Sequence, residues 1–179
     1  SLKKGTGFMA LGHNSVLETD DGWFMVCHAR YEHDPRISTL NIRRMVFDKE
    51  GWPAVSPCLY AGESEEVVPK VMLVGSYQRI DFVLDVKRLC EQPSDMEIRA
   101  DGTVKVGDLT GSWEYDEATG WLLIIIAGAV ERLRALNASH REEGGSTVAL
   151  TGHNDAGIGV WAVKHAKNQD QGLVTRLFA

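Results

Sequence analysis

Turn signals punctuate this chain: Asp20-Asp21-Gly22, Glu50-Gly51, Asp101-Gly102, Thr119-Gly120, Gly144-Gly145 and Asp155-Ala156-Gly157. Each separates short runs rich in Val, Ile, Leu, Trp and Phe, which is the pattern of antiparallel hairpins. Helical periodicity is weak. Residues 130–137, where Glu131, Arg132, Arg134 and Leu136 would suit a helix, form the contested segment, and we read it as a strand. The expected class is all-β.

A polar, acidic stretch from Gly62 to Glu66, followed by Pro69, marks a boundary, because proline cannot donate to a central strand. Before it the pattern predicts strands at about 12–19, 23–31, 38–48 and 53–59. After it come 71–78, 80–87, 95–99, 103–107, 110–116, 121–127, 129–137 and 146–151, then a closing strand at 158–164. So many antiparallel strands are expected to close into a barrel, which removes exposed edges. Gly75, Gly107, Gly111 and Gly128 are candidates for the bends. Gly152-His153-Asn154 reads as part of a hairpin turn. Residues 167–179 read as a tail, polar over Lys167-Asn168-Gln169-Asp170-Gln171-Gly172.

The formal charge of −6 argues against a nucleic-acid partner, which selects a basic face. No run approaches the roughly 20 apolar residues of a membrane helix. There is no signal-peptide pattern at the start, and location is left open. Cys27, Cys58 and Cys90 show no metal-ligand spacing and read as buried, reduced thiols.

His13 is the sharpest candidate for chemistry. Gly12 before it allows the backbone to bend, and Asn14 and Ser15 can hold a turn. A His so placed either points into a cavity, as a metal ligand or substrate contact, or bonds its own loop. His28 and Arg30 are two apart on a strand and share a face with Phe24 and Val26. They either contact a sugar hydroxyl or an anion, or pair with a carboxylate. Trp52, held between Gly51 and Pro53, is either a stacking platform or a packing residue; Trp113 and Trp161 pose the same choice. Glu18, Asp20, Asp21, Asp34, Asp48 and Glu50 read as solvated turn formers, and Asp81 and Asp85 are expected to face water. No catalytic residue is assigned.

Gly12-His13-Asn14-Ser15, Asp21-Gly22-Trp23, His28-Ala29-Arg30, Arg43-Arg44-Met45, Glu50-Gly51-Trp52-Pro53-Ala54-Val55-Ser56-Pro57 and Tyr60-Ala61-Gly62-Glu63 together carry a resemblance. In order and spacing they resemble the C-terminal portion of glycoside hydrolase family 43, nearest the arabinan-degrading endo-enzymes. Gly75-Ser76-Tyr77, Asp101-Gly102-Thr103, Gly111-Ser112-Trp113-Glu114 and Gly159–Lys164 resemble, more weakly, the β-barrel that follows the propeller in some of them.

The resemblance implies that residues 1–62 form the last antiparallel blade of a β-propeller and residues 63–166 a closed antiparallel β-barrel. It implies hydrolysis of arabinose polymers with inversion, using three carboxylates from earlier blades. It also implies that His13 points into the central channel and helps to hold calcium or another ion. Family members are mostly secreted or periplasmic. The residues before His13 leave no room for earlier blades, so the chain alone is expected to be inactive, and Asn41 stands where relatives often have His. The expected partners are an arabinan-type polysaccharide and either an N-terminal propeller half or a second copy of the exposed blade. A carbohydrate-binding or structural accessory barrel is the other reading.

Overall fold

The computed structural model describes residues 8–31, 33–83, 93–140 and 144–165. Its first part is a four-stranded meander in the order β1 (Phe8–Thr19), β2 (Gly22–Tyr31), β3 (Ser38–Phe47) and β4 (Pro53–Val55), with every neighbour antiparallel. Gly22 closes the β1–β2 turn with φ of 110°. A Cβ there would lie 2.6 Å from Glu65 Oε1, so a side chain at this turn would require the Glu65 carboxylate to shift. The expected strand at 53–59 stops at Val55. Ser56 N still donates to Arg44 O at 2.8 Å, but Pro57 has no N–H to continue the ladder.

The connector leads to a four-residue helix, α1 (Lys70–Leu73), and then to eight antiparallel strands. These are β5 (Gly75–Asp81), β6 (Ser94–Ile98), β7 (Thr103–Val106), β8 (Leu109–Asp116), β9 (Trp121–Ile126), β10 (Ala129–Ser139), β11 (Ser146–Asn154) and β12 (Gly159–Lys164). They close as β10-β11-β12-β5-β6-β7-β8-β9. The all-β class, the blade-like sheet and the closed barrel are therefore as expected, and the contested segment is strand β10.

One pair of expected strands is corrected. Residues 71–78 and 80–83 do not form two strands; one strand, β5, runs through Gly75–Asp81. Pro69 opens α1, Met72 N donates to Pro69 O, and Gly75 at φ 141° turns the chain into β5. The apolar run at 71–73 is thus a helical plug, with Leu73 fully buried and Val71 exposed. Residues 84–87, and Asp85 with them, lie outside the described residues.

Period-two alternation fills the barrel with Tyr77, Met96, Val104, Ile124, Leu133 and Leu150, each at most 1% exposed. Tyr77 OH donates to Leu73 O at 2.6 Å, and Tyr115 OH donates to Val68 O at 2.7 Å. These two hydroxyls pin the plug across one mouth. Strand curvature demands small residues where backbones approach. A Cβ at Gly111 would lie 2.2 Å from Ile125 O, and one at Gly152 1.9 Å from Arg132 O. Gly152 is therefore a strand residue of β11, and the turn that follows is held by Asn154 Oδ1, which accepts from Ala156 N and Ile158 N. Gly107 and Gly128, by contrast, supply positive φ at tight turns.

The blade meets the barrel along its β4 side. Thr151 Oγ1 donates to Val55 O at 2.7 Å, Leu136, Ala138 and Ala149 pack with Val46 and Cys58, and the Arg43 guanidinium lies 5.6 Å from the Trp161 ring centre. This leaves β1 as the far edge of the blade, where Leu11, Val16 and Leu17 are 47–53% exposed.

Candidate functional site

The far edge is irregular where the chemistry-bearing residues lie. Met9 stands opposite Arg30, Gly12 opposite His28 and Ser15 opposite Val26, so β1 carries one extra residue in each interval. These are two β-bulges flanking Gly12, devices that re-aim side chains. The bend is not Gly12's own. A Cβ at Gly12 would meet nothing within 4 Å, and it is His13 that takes φ of 53°. A left-handed non-glycine residue costs about 1–2 kcal/mol, and His is among the residues found there more often than most.

The exposed His13 ring then faces the half-buried His28, with centroids 6.1 Å apart and planes tilted by 57°. Neither imidazole makes a hydrogen bond among the described residues. Sequence reasoning treated the two separately, although a signal was present. His13 and His28 are equidistant from the two-residue Asp20-Asp21 turn, so an unbulged hairpin would set them directly opposite. Arg30 lies two residues beyond His28 on β2 and is exposed, completing a basic, aromatic end of the sheet.

Trp52 does not belong to this group. His28 pairs with Leu40, whereas Pro53 pairs with Phe47, seven residues along β3, which is about 23 Å at ~3.3 Å per residue. Trp52 is 67% exposed. Its backbone is fixed by Asp48 Oδ1, which accepts from Trp52 N at 2.8 Å and Glu50 N at 3.0 Å. Two other tryptophans are engaged by neighbouring side chains. Trp113 is 5% exposed with Lys70 Nζ 5.4 Å from its ring centre. Trp161 is half-buried, with the Arg43 guanidinium near its ring and Phe82 packed edge-to-face with a centroid separation of 4.7 Å.

Sequence reasoning also missed a buried charge cluster. Arg79 donates to both oxygens of Glu131, at 2.8 and 2.6 Å, inside the barrel mouth opposite the plug. Asp81, expected to face water, keeps 36% of its side chain exposed and also accepts from Arg79 Nε at 2.8 Å. Arg79 shares the inward parity of Tyr77, and Glu131 that of Leu133, so strand alternation alone points both inward. With both its oxygens held by Arg79, Glu131 has a structural role rather than an acid–base one.

Cys27 is buried and Cys58 half-buried, both as free thiols. Burial pushes the Cys58 thiol up to about 11. Cys90 lies outside the described residues.

Calcium takes six to eight oxygen ligands. Among the described residues no group of three His, Cys, Asp or Glu side chains comes together. What converges at His13 is a second imidazole.

The family described as the C-terminal lipocalin-like domain, GH43_C, matches residues 57–162, from the end of the blade to β12. The chain belongs to this family. Beyond the GH43_C match, an extracellular endo-α-(1→5)-L-arabinanase of Thermotoga petrophila is 26% identical over 165 residues, covering 90% of this chain and 35% of that protein. The extracellular endo-α-(1→5)-L-arabinanase 2 of Bacillus subtilis is 27% identical over 113 residues, covering 62% of this chain and 24% of that protein. The chain thus spans about a third or less of the curated relatives it matches. Among solved structures, the Thermotoga petrophila endo-1,5-α-L-arabinanase superposes with TM-score 0.78 at 23% identity, covering 89% of this chain and 36% of the other. A glycoside hydrolase family 43 protein of Bacillus licheniformis gives 0.79 at 21%, covering 90% and 36%. These structural likenesses extend through the blade as well as the GH43_C barrel. No helix among the described residues is long and apolar enough to cross a membrane.

Proposed function

We propose that this chain forms the closing sheet and C-terminal barrel of an arabinan-degrading hydrolase. In this reading β1 faces a substrate channel, His13, His28 and Arg30 lie at its wall, and the carboxylates that hydrolyse the glycosidic bond come from other blades. The observation that carries it is the incomplete edge of the blade. β1 exposes apolar side chains at Leu11, Val16 and Leu17 and has no strand beyond it among the described residues, while a relative named an arabinanase matches 90% of the chain, the match covering only 35% of that relative. Apolar sheet edges of this kind mark a surface made to be covered. Water would attack the anomeric carbon with base assistance while an acid protonates the departing sugar oxygen. This chain positions and walls the substrate.

The barrel gives little support to a separate sugar-binding module, because Trp113 is buried and the half-buried Trp161 is already engaged by Arg43 and Phe82. The test is reducing-end release from linear arabinan, by the chain alone and after co-expression with the preceding blades of the Thermotoga petrophila relative. The expected result is no release alone and release on reconstitution, reduced by His13→Ala. Release by the chain alone would sink the assignment of the acids to other blades.

A further inference from the structure

We propose that the outer face of strand β9 is a subsite for a neutral saccharide chain, with Trp121 as its stacking ring and side chains of β8 and β10 as its polar rims. The inner parity of β9 fills the barrel, which sends Trp121, Leu123 and Ile125 outward in one row. Ile125 is 45% exposed, and Trp121 and Leu123 are half-buried. Register sets carboxylates on one side of the row, with Asp116 opposite Trp121 and Glu114 opposite Leu123. It sets guanidiniums on the other, with Arg134 opposite Trp121 and Arg132 opposite Leu123. At ~4.8 Å between strands the two rims stand about 10 Å apart, and no ion pair joins them among the described residues.

Arg134 is the member that most needs a partner. A Cβ on Gly120, at φ 73°, would lie 1.5 Å from Arg134 Nη1, so the guanidinium rests on the turn backbone next to Trp121. Nη1 is buried and has no hydrogen-bond partner. Burial lowers Arg134 from its ordinary value; the nearby Arg44 adds to this, while Tyr115 and Glu65 oppose it. Trp121 is uncommitted as well. Trp23, Trp113 and Trp161 have aromatic or cationic partners at their rings, whereas Trp121 has none among the described residues.

The mixture of groups decides the class of ligand. A sugar ring lays an apolar face on an indole, and the hydroxyls at its rim need both donors and acceptors. Guanidinium only donates and carboxylate only accepts, so the two rims supply both. An anion fits poorly, because Asp116, Glu114 and Glu65 oppose it. A second protein fits poorly too. A stable interface covers about 800 Å² per partner around a core depleted of charge, and here three apolar side chains lie between two charged rows. The row spans about 13 Å from Trp121 to Ile125 at ~3.3 Å per residue, longer than a single sugar ring. The choice of arabinan as the saccharide rests on the proposed function; the subsite itself rests on the barrel's outer face. It adds to the channel at β1 and does not replace it.

The test is affinity electrophoresis of the full chain in gels containing linear arabinan, with polygalacturonate as the anionic comparison. Indole ¹⁵N shifts on adding linear arabino-oligosaccharides report the ring involved. The expectation is retardation by arabinan but not by polygalacturonate, with movement of the Trp121 indole resonance. Arg134→Met and Arg132→Ala should each weaken binding roughly tenfold, as loss of a charged hydrogen-bond donor does. Arg134→Met should also melt no lower than the unsubstituted chain, because it removes an unpartnered, half-buried charge; an arginine with a purely structural role would lower the melt. If Arg134→Met does not fold, Arg132→Ala and the Trp121 resonance of the unsubstituted chain decide. No retardation by arabinan, retardation undiminished in both arginine variants, a Trp121 resonance that stays in place, or preference for polygalacturonate would each overturn the proposal. Retardation lost in His13→Ala yet kept in Arg134→Met would put the saccharide on the blade edge instead, overturning this subsite while leaving the proposed function standing.

Discussion

The guanidinium of Arg44 lies 5.1 Å from the ring centre of Tyr60, and the same distance from Phe24 on the neighbouring strand. Its nitrogens donate to Asp21 O at 2.8 Å and Glu63 O at 2.9 Å and pair with Glu65 at 2.9 Å. One 5%-exposed side chain thus ties β3 to the β1–β2 turn and to the connector. Arg44→Ala leaves both carbonyls without this donor and should destabilise the chain by about 3 kcal/mol, read by urea unfolding. Arg44→Lys keeps the charge but lacks the planar fork, so it should recover less than half of that loss. Full recovery by Lys would show that charge alone, not the fork, matters.

Three glycines with ordinary backbone angles should separate cleanly. Gly152→Ala and Gly111→Ala drive a Cβ into a neighbouring carbonyl oxygen and should each cost about 3 kcal/mol. Gly12→Ala meets open space and should change stability by less than about 0.5 kcal/mol. Thermal melts of the three variants check the ranking.

The Arg79–Glu131 pair should show the asymmetry of buried ion pairs. Glu131→Ala leaves Arg79, 4% exposed, with only the partly exposed Asp81 as its partner and should cost about 3 kcal/mol. Replacing both partners, as Arg79→Met with Glu131→Leu, should recover most of the loss. A double variant as unstable as the single one would mean that the pair is worth far more than its desolvation.

Cys58 should resist alkylation. Burial holds its thiol at about 11 in the fold, above the 9.0 expected when exposed. A raised folded value favours the neutral thiol, so this contribution to stability is fully present below about pH 9 and declines as pH rises through 11. Iodoacetamide at pH 8 should label it slowly in the native chain and rapidly in urea, as followed by mass spectrometry. Equal rates would show an accessible thiolate.

Much of this architecture was legible because strand alternation and turn chemistry agree along most of the chain, as in β8 and β9, where Trp113, Leu122 and Ile124 all fall on the inner parity. The misreadings have physical causes. Lys70-Val71-Met72-Leu73 looks strand-like from its apolar content, but a proline start and a following glycine make it a single helical turn. Asp81 is partly exposed as its charge predicts, but its parity with Tyr77 and Arg79 also brings it to the guanidinium, a contact that charge alone does not signal. The His13–His28 approach depends on ladder register, and the turn signals were used to find strands rather than to align them.

The two bulges in β1 also do arithmetic. Paired residues sum to 39 at Met9–Arg30, to 40 at Gly12–His28 and to 41 from Ser15–Val26 to the turn. Each bulge alone would invert which side of the sheet every later side chain faces. Together they cancel, so both arms of the strand keep one parity and only the few residues between them are rotated out of step. Removing a single residue from this stretch would turn one arm of the blade inside out, whereas removing two would leave a straight, well-formed strand without the rotated segment between the bulges. The same interruptions break the row of backbone donors and acceptors, so the open edge offers no long, straight template on which foreign strands could stack.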